Sequence, residues 1–221
     1  MPGPGPAHVP ASGLRERKKR MTRAAIFEVA ARLFSERGFE NVTVAEIADA
    51  ANISVKTLFT YVRSKEELVF SDEPNILDAL VAAVRDRPAG QAPLDAVTST
   101  LLNALVADTD PAGLEGFHKL IGQSPAVRSR LRALWDETED ALTNALTEPG
   151  DDVHEHAAHR LEAASLMVLA RTVTSQEVRA LVASAVDAHA TDGAAAERQA
   201  LGEWIRDAAD RLNQGLKAAG R

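Results

Sequence analysis

Two capping-box signatures, Thr43 with Glu46 and Ser64 with Glu67, frame the stretch that most limits what this chain can become. In such a box the first hydroxyl accepts the N–H three residues on, and the acidic side chain returns to the first residue's own N–H, so each pair predicts a helix start. Between them, Val44, Ile47, Ala48 and Ala51 give a first short helix one apolar face. Asn52 tolerates a left-handed backbone and breaks that helix, and Ser54 is placed to cap a second one over 55–61. On the second helix only Leu58 and Val62 turn clearly inward, leaving Lys56, Thr57, Phe59, Thr60 and Tyr61 on the other face. So short a helix does not persist alone; its neighbours must hold it, and its outer face is available for contact. Helix, tight turn and second helix with an exposed polar and aromatic face is the pattern in which the second helix enters the DNA major groove.

Upstream, the spacing of Ile26, Ala30, Leu33 and Phe34 predicts a helix over 14–37, stopped by Gly38. Phe39 and Val42 are expected to plug the small core beneath it. Residues 1–13 are rich in Pro and Gly, without apolar periodicity, and are expected to form a disordered tail. The basic run Arg15 to Arg20, with Arg23 beyond it, has two readings. It is the solvated start of a helix, or an arm that follows the phosphate backbone or reaches the minor groove; nearness to the helix-turn-helix favours the arm.

Net charge is −7, which alone argues against nucleic acid, but its distribution reverses the argument. Residues 1–70 carry 11 lysines and arginines against 8 acidic residues, and the remainder 14 against 24, so only one end suits phosphate. There is no cysteine, hence no disulfide and no thiolate metal site. No apolar run has membrane-spanning length and no hydrophobic leader is visible, so a soluble, cytoplasmic protein is expected.

Ser71-Asp-Glu-Pro74 interrupts the helix expected to begin at Lys65 and sets the expected domain boundary, 14–71 against 72–221. Helical patterns follow near 75–87, 93–108, 111–122, 125–147, 153–189 and 194–216, and no strand-like alternation occurs; the fold class expected is all-α. Phosphate loops, zincin helices, nucleophile elbows and EF-hand loops are missing, so no enzyme chemistry and no cofactor are expected. His154, His156 and His159 approach a metal-ligand spacing, but no carboxylate completes them and they read as a solvated helix start. Arg171 interrupts the apolar run Leu166 to Val173 and is either paired or snorkelling, or the polar anchor of an apolar pocket. The last two helical patterns, with Val178, Leu181 and Val182 on one and Leu201, Trp204, Ile205, Ala208 and Leu212 on the other, close the chain's own core or pack on a second chain.

At Thr43, Ile47, Ala48, Ala51, Asn52, Ile53, Ser54, Thr57, Leu58, Phe59, Tyr61, Val62, Lys65, Glu66 and Leu68, with Ile26, Ala30, Leu33, Phe34, Gly38 and Phe39 upstream, the chain resembles the TetR family of bacterial transcriptional regulators. Asn52 stands where the family's turn has Gly, Phe59 where it has Tyr, and Tyr61 where His is common. The resemblance implies an N-terminal helix-turn-helix domain followed by a larger helical effector-binding and dimerisation domain. DNA contacts are implied at Arg20, Arg23, Thr43, Val55, Lys56, Thr57, Phe59, Thr60, Tyr61 and Lys65. It also implies a homodimer through the last two helices, at Val178, Leu181, Val182, Leu201, Trp204, Ile205, Ala208 and Leu212. The middle helices weakly resemble members that bind apolar or acyl-type effectors, which would place Phe117, His118, Ile121, Leu131, Trp135, Met167 and Arg171 at the effector. A dimeric, effector-controlled repressor on a palindromic double-stranded operator is the function implied. A helical adaptor for a partner protein is the alternative, disfavoured because it has no use for a basic arm beside Thr43, Lys56 and Lys65.

Overall fold

The computed structural model describes residues 11–70, 75–107, 121–122, 124–175, 177–178, 180–181, 184 and 193–219. All regular structure among them is helical, and the chain divides into two units, Met1–Glu73 and Pro74–Arg221.

The first unit is built on α1 (Ala11–Arg37), which begins inside the stretch expected to be disordered. Gly38 ends it with φ of 80°, and a short 3-10 turn, Phe39–Asn41, leads to α2 (Val44–Ala50). Thr43 caps α2 in a complete capping box: its hydroxyl takes the Glu46 N–H, and the Glu46 carboxylate takes the Thr43 N–H at 2.8 Å. Asn52, at φ of 54°, makes the turn. Ser54 then caps α3 (Val55–Leu58), accepting the Thr57 N–H at 3.0 Å. The core of this unit is Ile26, Ala30, Phe34, Phe39, Val42, Ile47, Ala48, Leu58, Val62 and Leu68, all nearly inaccessible. The α-helix expected from Lys65 is instead a 3-10 turn, Glu66–Val69, followed by extended Phe70. The Ser64 box does not form, because the Glu67 carboxylate turns back to the Arg63 N–H.

The second unit contains α4 (Ile76–Arg85), α5 (Pro93–Ala107), α6 (Pro125–Leu146), α7 (Val153–Val173) and α8 (Gly193–Ala219). Asn75, Ser124 and Asp152 cap α4, α6 and α7 with their side-chain oxygens. One apolar core runs through all five, with Leu80, Val97, Leu142, Met167, Leu201 and Ile205 among its most buried members. The long helix expected over 153–189 stops at Val173. There the Thr172 hydroxyl bonds back to the Val168 carbonyl and the Thr174 hydroxyl to that of Arg171, while Ser175 accepts the Val178 N–H and opens a new turn. Side chains that offer the backbone alternative partners in succession end a helix.

Candidate nucleic-acid interface

α3 is four residues long and is fixed from below by Leu58, which is fully buried, and by Val62 just after it. Its opposite face is open: Val55 is 37% and Phe59 47% exposed, and Lys56 and Thr60 are exposed beside them. Large apolar side chains held out in water on so small a helix mark a surface made for contact. Thr57 is half-buried with its hydroxyl 2.8 Å from that of Ser54, and the Thr60 hydroxyl donates to the Thr57 carbonyl at 2.7 Å. These bonds stiffen the helix and leave Lys56 as its freely projecting cation.

Beside α3 lies a groove lined by Arg15, Glu16, Lys18, Lys19 and Thr22 of α1 and by Thr60 and Tyr61. Arg15, Lys18, Lys19 and Thr22 recur at helical spacing on one face, so the basic run is a helix in conformation and a cationic wall in effect. The resemblance pointed to Arg20 and Arg23; Arg15, Lys18 and Lys19 belong to the basic run offered as an arm and lie within the helix expected over 14–37, and the structure singles them out as the groove-lining members of that run. Arg20 is exposed but does not line the groove. Arg23 turns inward: its guanidinium donates to the Tyr61 carbonyl at 2.7 Å and lies 5.4 Å over the Phe27 ring. Lys65 turns inward too, donating to the carbonyls of Phe39 and Val42 at 3.0 Å each, with its ammonium 4.0 Å above the Phe39 ring. Arg37 bonds the Asn41 carbonyl at 3.0 Å and the Glu46 carboxylate at 2.7 Å. The Glu46 carboxyl is thereby held at a pKa of about 2, chiefly by the Thr43 N–H, then by the Thr43 hydroxyl and Arg37.

The remaining expected sites lie in the second unit. Leu131 and Met167 are buried, Trp135 is partly buried against the core and Ile121 is half-buried; Phe117 and His118 lie outside the described residues. Arg171, read as paired, snorkelling or a polar anchor, is paired: it meets Glu139 at 2.8 Å and Asp136 at 3.5 Å, and its guanidinium lies 5.7 Å from the Trp135 ring. Arg160 joins the same α6 carboxylates, Glu139 at 3.3 Å and Asp140. The residues expected at the dimer face differ in their surroundings within one chain. Val178, Leu201 and Ile205 are buried in the chain's own core, with Trp204, Ala208 and Leu212 packed against it; Leu181 is 46% exposed and Val182 lies outside the described residues. The outer face of α8 is polar, with Arg198, Glu203, Arg206, Asp207, Asp210 and Arg211 exposed. Of the histidines, His159 meets Asp151 at 3.0 Å and His156 meets Thr147 at 3.3 Å, and no metal-binding group of three or more such side chains occurs among the described residues.

A small helical core that presents one stiffened helix outward beside a cationic wall defines a helix-turn-helix DNA-binding protein. The pattern of the bacterial regulatory proteins of the tetR family matches residues 26–71. The chain is 30% identical over 172 residues to the transcriptional regulator TcmR of Streptomyces glaucescens, covering 74% of this chain and 76% of that one. It is 36% identical over 89 residues to the transcriptional repressor KstR2 of Rhodococcus jostii, 38% of this chain and 44% of that one. Among solved structures, a TetR-family regulator from Streptomyces coelicolor aligns over 93% of this chain and 99% of that one, at 20% identity and TM-score 0.44. The chain belongs to the TetR family of transcriptional regulators and is not an enzyme. No helix among the described residues is long and apolar enough to cross a membrane.

Proposed function

We propose that this regulator is a cytoplasmic repressor that binds a palindromic operator as a homodimer and is released by a small apolar or acyl-type effector. The observation that carries the reading is the open face of α3, where Val55, Lys56, Phe59 and Thr60 stand clear of the core that holds Leu58. Lys56 is placed to meet base edges or phosphate in the major groove, while Arg15, Lys18 and Lys19 neutralise phosphate beside it. Repression is the mode named for KstR2, to which this chain is similar over 89 residues.

A palindrome requires two α3 helices about 34–36 Å apart or somewhat further, hence two chains. Val178, Leu201 and Ile205 are taken up by the chain's own core, so the dimer face is read to extend onto the outward side of α7. There Leu161 is 67% and Val168 49% exposed, seven positions apart on one helical stripe. The effector is read at α6 and α7, around Leu131, Trp135 and Met167, with Ile121 before α6. Arg171 contributes there by holding the Trp135 ring, not by meeting the ligand. An effector regulates only through its difference in affinity between DNA-competent and incompetent states, and about 1.4 kcal/mol of preference gives a tenfold change.

The test is a mobility shift with the DNA upstream of the protein's own gene, repeated against a broad panel of apolar and acyl-type compounds. Retarded DNA that is released by some of them supports the reading. A protein that shifts no fragment of that DNA, or whose binding no compound alters, contradicts it.

A further inference from the structure

Lys65 sits just past the exit from α3, yet its side chain does not project toward the surface that α3 presents. An ammonium has three donors and no acceptor, and two of the three are spent on the Phe39 and Val42 carbonyls at 3.0 Å. The Phe39 carbonyl opens the 3-10 turn Phe39–Asn41 and also accepts the Val42 N–H at 3.3 Å, while Val42 is the turn's C-cap, so the ammonium grips both ends of the turn. The ammonium also rests 4.0 Å over the Phe39 ring, which in turn packs on Phe34 of α1 with ring centroids 5.0 Å apart. A half-buried cation over an aromatic face, with two carbonyl acceptors, is held more firmly than one in water.

The turn that Lys65 caps delivers the chain into Thr43 and the start of α2, and Lys65 itself follows the residues that leave α3. One side chain therefore joins the entry of the helix-turn-helix to its exit. On the other side of the same turn, Arg37 holds the Asn41 carbonyl and the Glu46 carboxylate, so the entry is tied from two directions. We infer that Lys65 is a positioning residue for DNA recognition: it fixes the attitude of α3 relative to α2 and is not a phosphate ligand. This rests on the reading of α3 as the face that reads DNA.

The two roles differ in what salt and sequence do. Removing a phosphate ligand weakens operator and unrelated DNA alike, and flattens log K against log salt by about 0.9 per phosphate, or about 1.8 for a dimer. Misplacing α3 costs base contacts while leaving phosphate neutralisation intact. Full-length wild type, Lys65→Met and Lys65→Gln are titrated against operator and scrambled DNA at several salt concentrations, with folding checked by circular dichroism at the same temperature. Lys65→Met keeps the aliphatic stem; Lys65→Gln keeps one donor for a carbonyl and serves if the first variant does not fold. The expected result is at least a tenfold fall in the operator-to-scrambled ratio, larger for Met than for Gln, with the salt slope on scrambled DNA unchanged. A parallel loss on both DNAs with a slope flatter by about 2, or an unchanged ratio in a folded variant, overturns the inference. Wild type that does not discriminate the two DNAs would instead refute the reading of α3 on which it rests.

Discussion

Replacing Ile205 with Ala separates a core residue from an interface residue. Ile205 is 1% exposed within one chain, in a cluster with Leu201, Leu142 and Met167. Truncation removes three carbons from that cluster, at about 0.8 kcal/mol each, and leaves a cavity whose lining loses further contacts. The expected cost is about 2–5 kcal/mol, the range for Ile or Leu to Ala in packed cores. In a unit of this size that lowers the thermal midpoint by roughly 5–20 °C. Leu161→Asp, on the exposed stripe of α7, should do the opposite. It puts a charge on a face that is already in water in the single chain, so the melt of dilute protein should move little, while a dimer formed there is lost. Thermal melts of both variants at low concentration, paired with sedimentation across a concentration series, read the two effects separately. Should Ile205→Ala melt normally but fail to dimerise while Leu161→Asp stays a dimer, the assignment of core and interface would be inverted.

Asn52→Gly should be neutral or slightly stabilising, and Asn52→Ala destabilising by about 1 kcal/mol, because the turn holds φ at 54° and only Gly adopts that region freely; chemical denaturation ranks the pair. Since the Glu46 carboxyl is held near a pKa of about 2, below its ordinary 4.5, its contribution to stability is complete above about pH 4.5 and is lost as pH falls from there toward 2. Glu46→Gln should therefore show a shallower loss of stability than wild type across that window, read from denaturation midpoints. Arg171→Ala should cost about 1–2 kcal/mol, because Glu139, with a side chain only 13% exposed, loses one cation but keeps Arg160. It should also blunt the effector response through Trp135 without changing operator affinity, as titrations with and without effector will show.

The parts of this fold legible in the sequence are those decided within a few residues. Thr43 with Glu46, Ser54 before α3, and Asn52 at the turn each act through their own backbone, and the structure puts each where local chemistry predicts. Ser64 and Glu67 carry the same signature and fail, because Glu67 turned to Arg63 while the neighbouring Lys65 was drawn to carbonyls 23 and 26 positions away. Periodicity showed that Leu201, Ile205 and Leu212 face something apolar; it does not tell a neighbour in the same chain from one in another. Arg171 was ambiguous for the same reason, its partner Glu139 being 32 positions distant on another helix. The basic run Arg15 to Arg20 was legible as cationic, but charge alone does not say which members line a groove: Arg15, Lys18 and Lys19 do, while Arg23 is drawn inward to the Tyr61 carbonyl, 38 positions away.

The central claim is that the open face of α3 reads sequence while the adjoining face of α1 neutralises phosphate. Fluorescence anisotropy of wild type and Lys56→Ala on operator and scrambled DNA, across a salt series, measures both halves at once. With on the order of eight phosphates neutralised per dimer, log K should fall steeply with log salt on both DNAs. Lys56→Ala should lose operator preference while it still binds scrambled DNA. A wild-type slope flatter than about −3, or equal affinity of wild type for the two DNAs, would contradict the account.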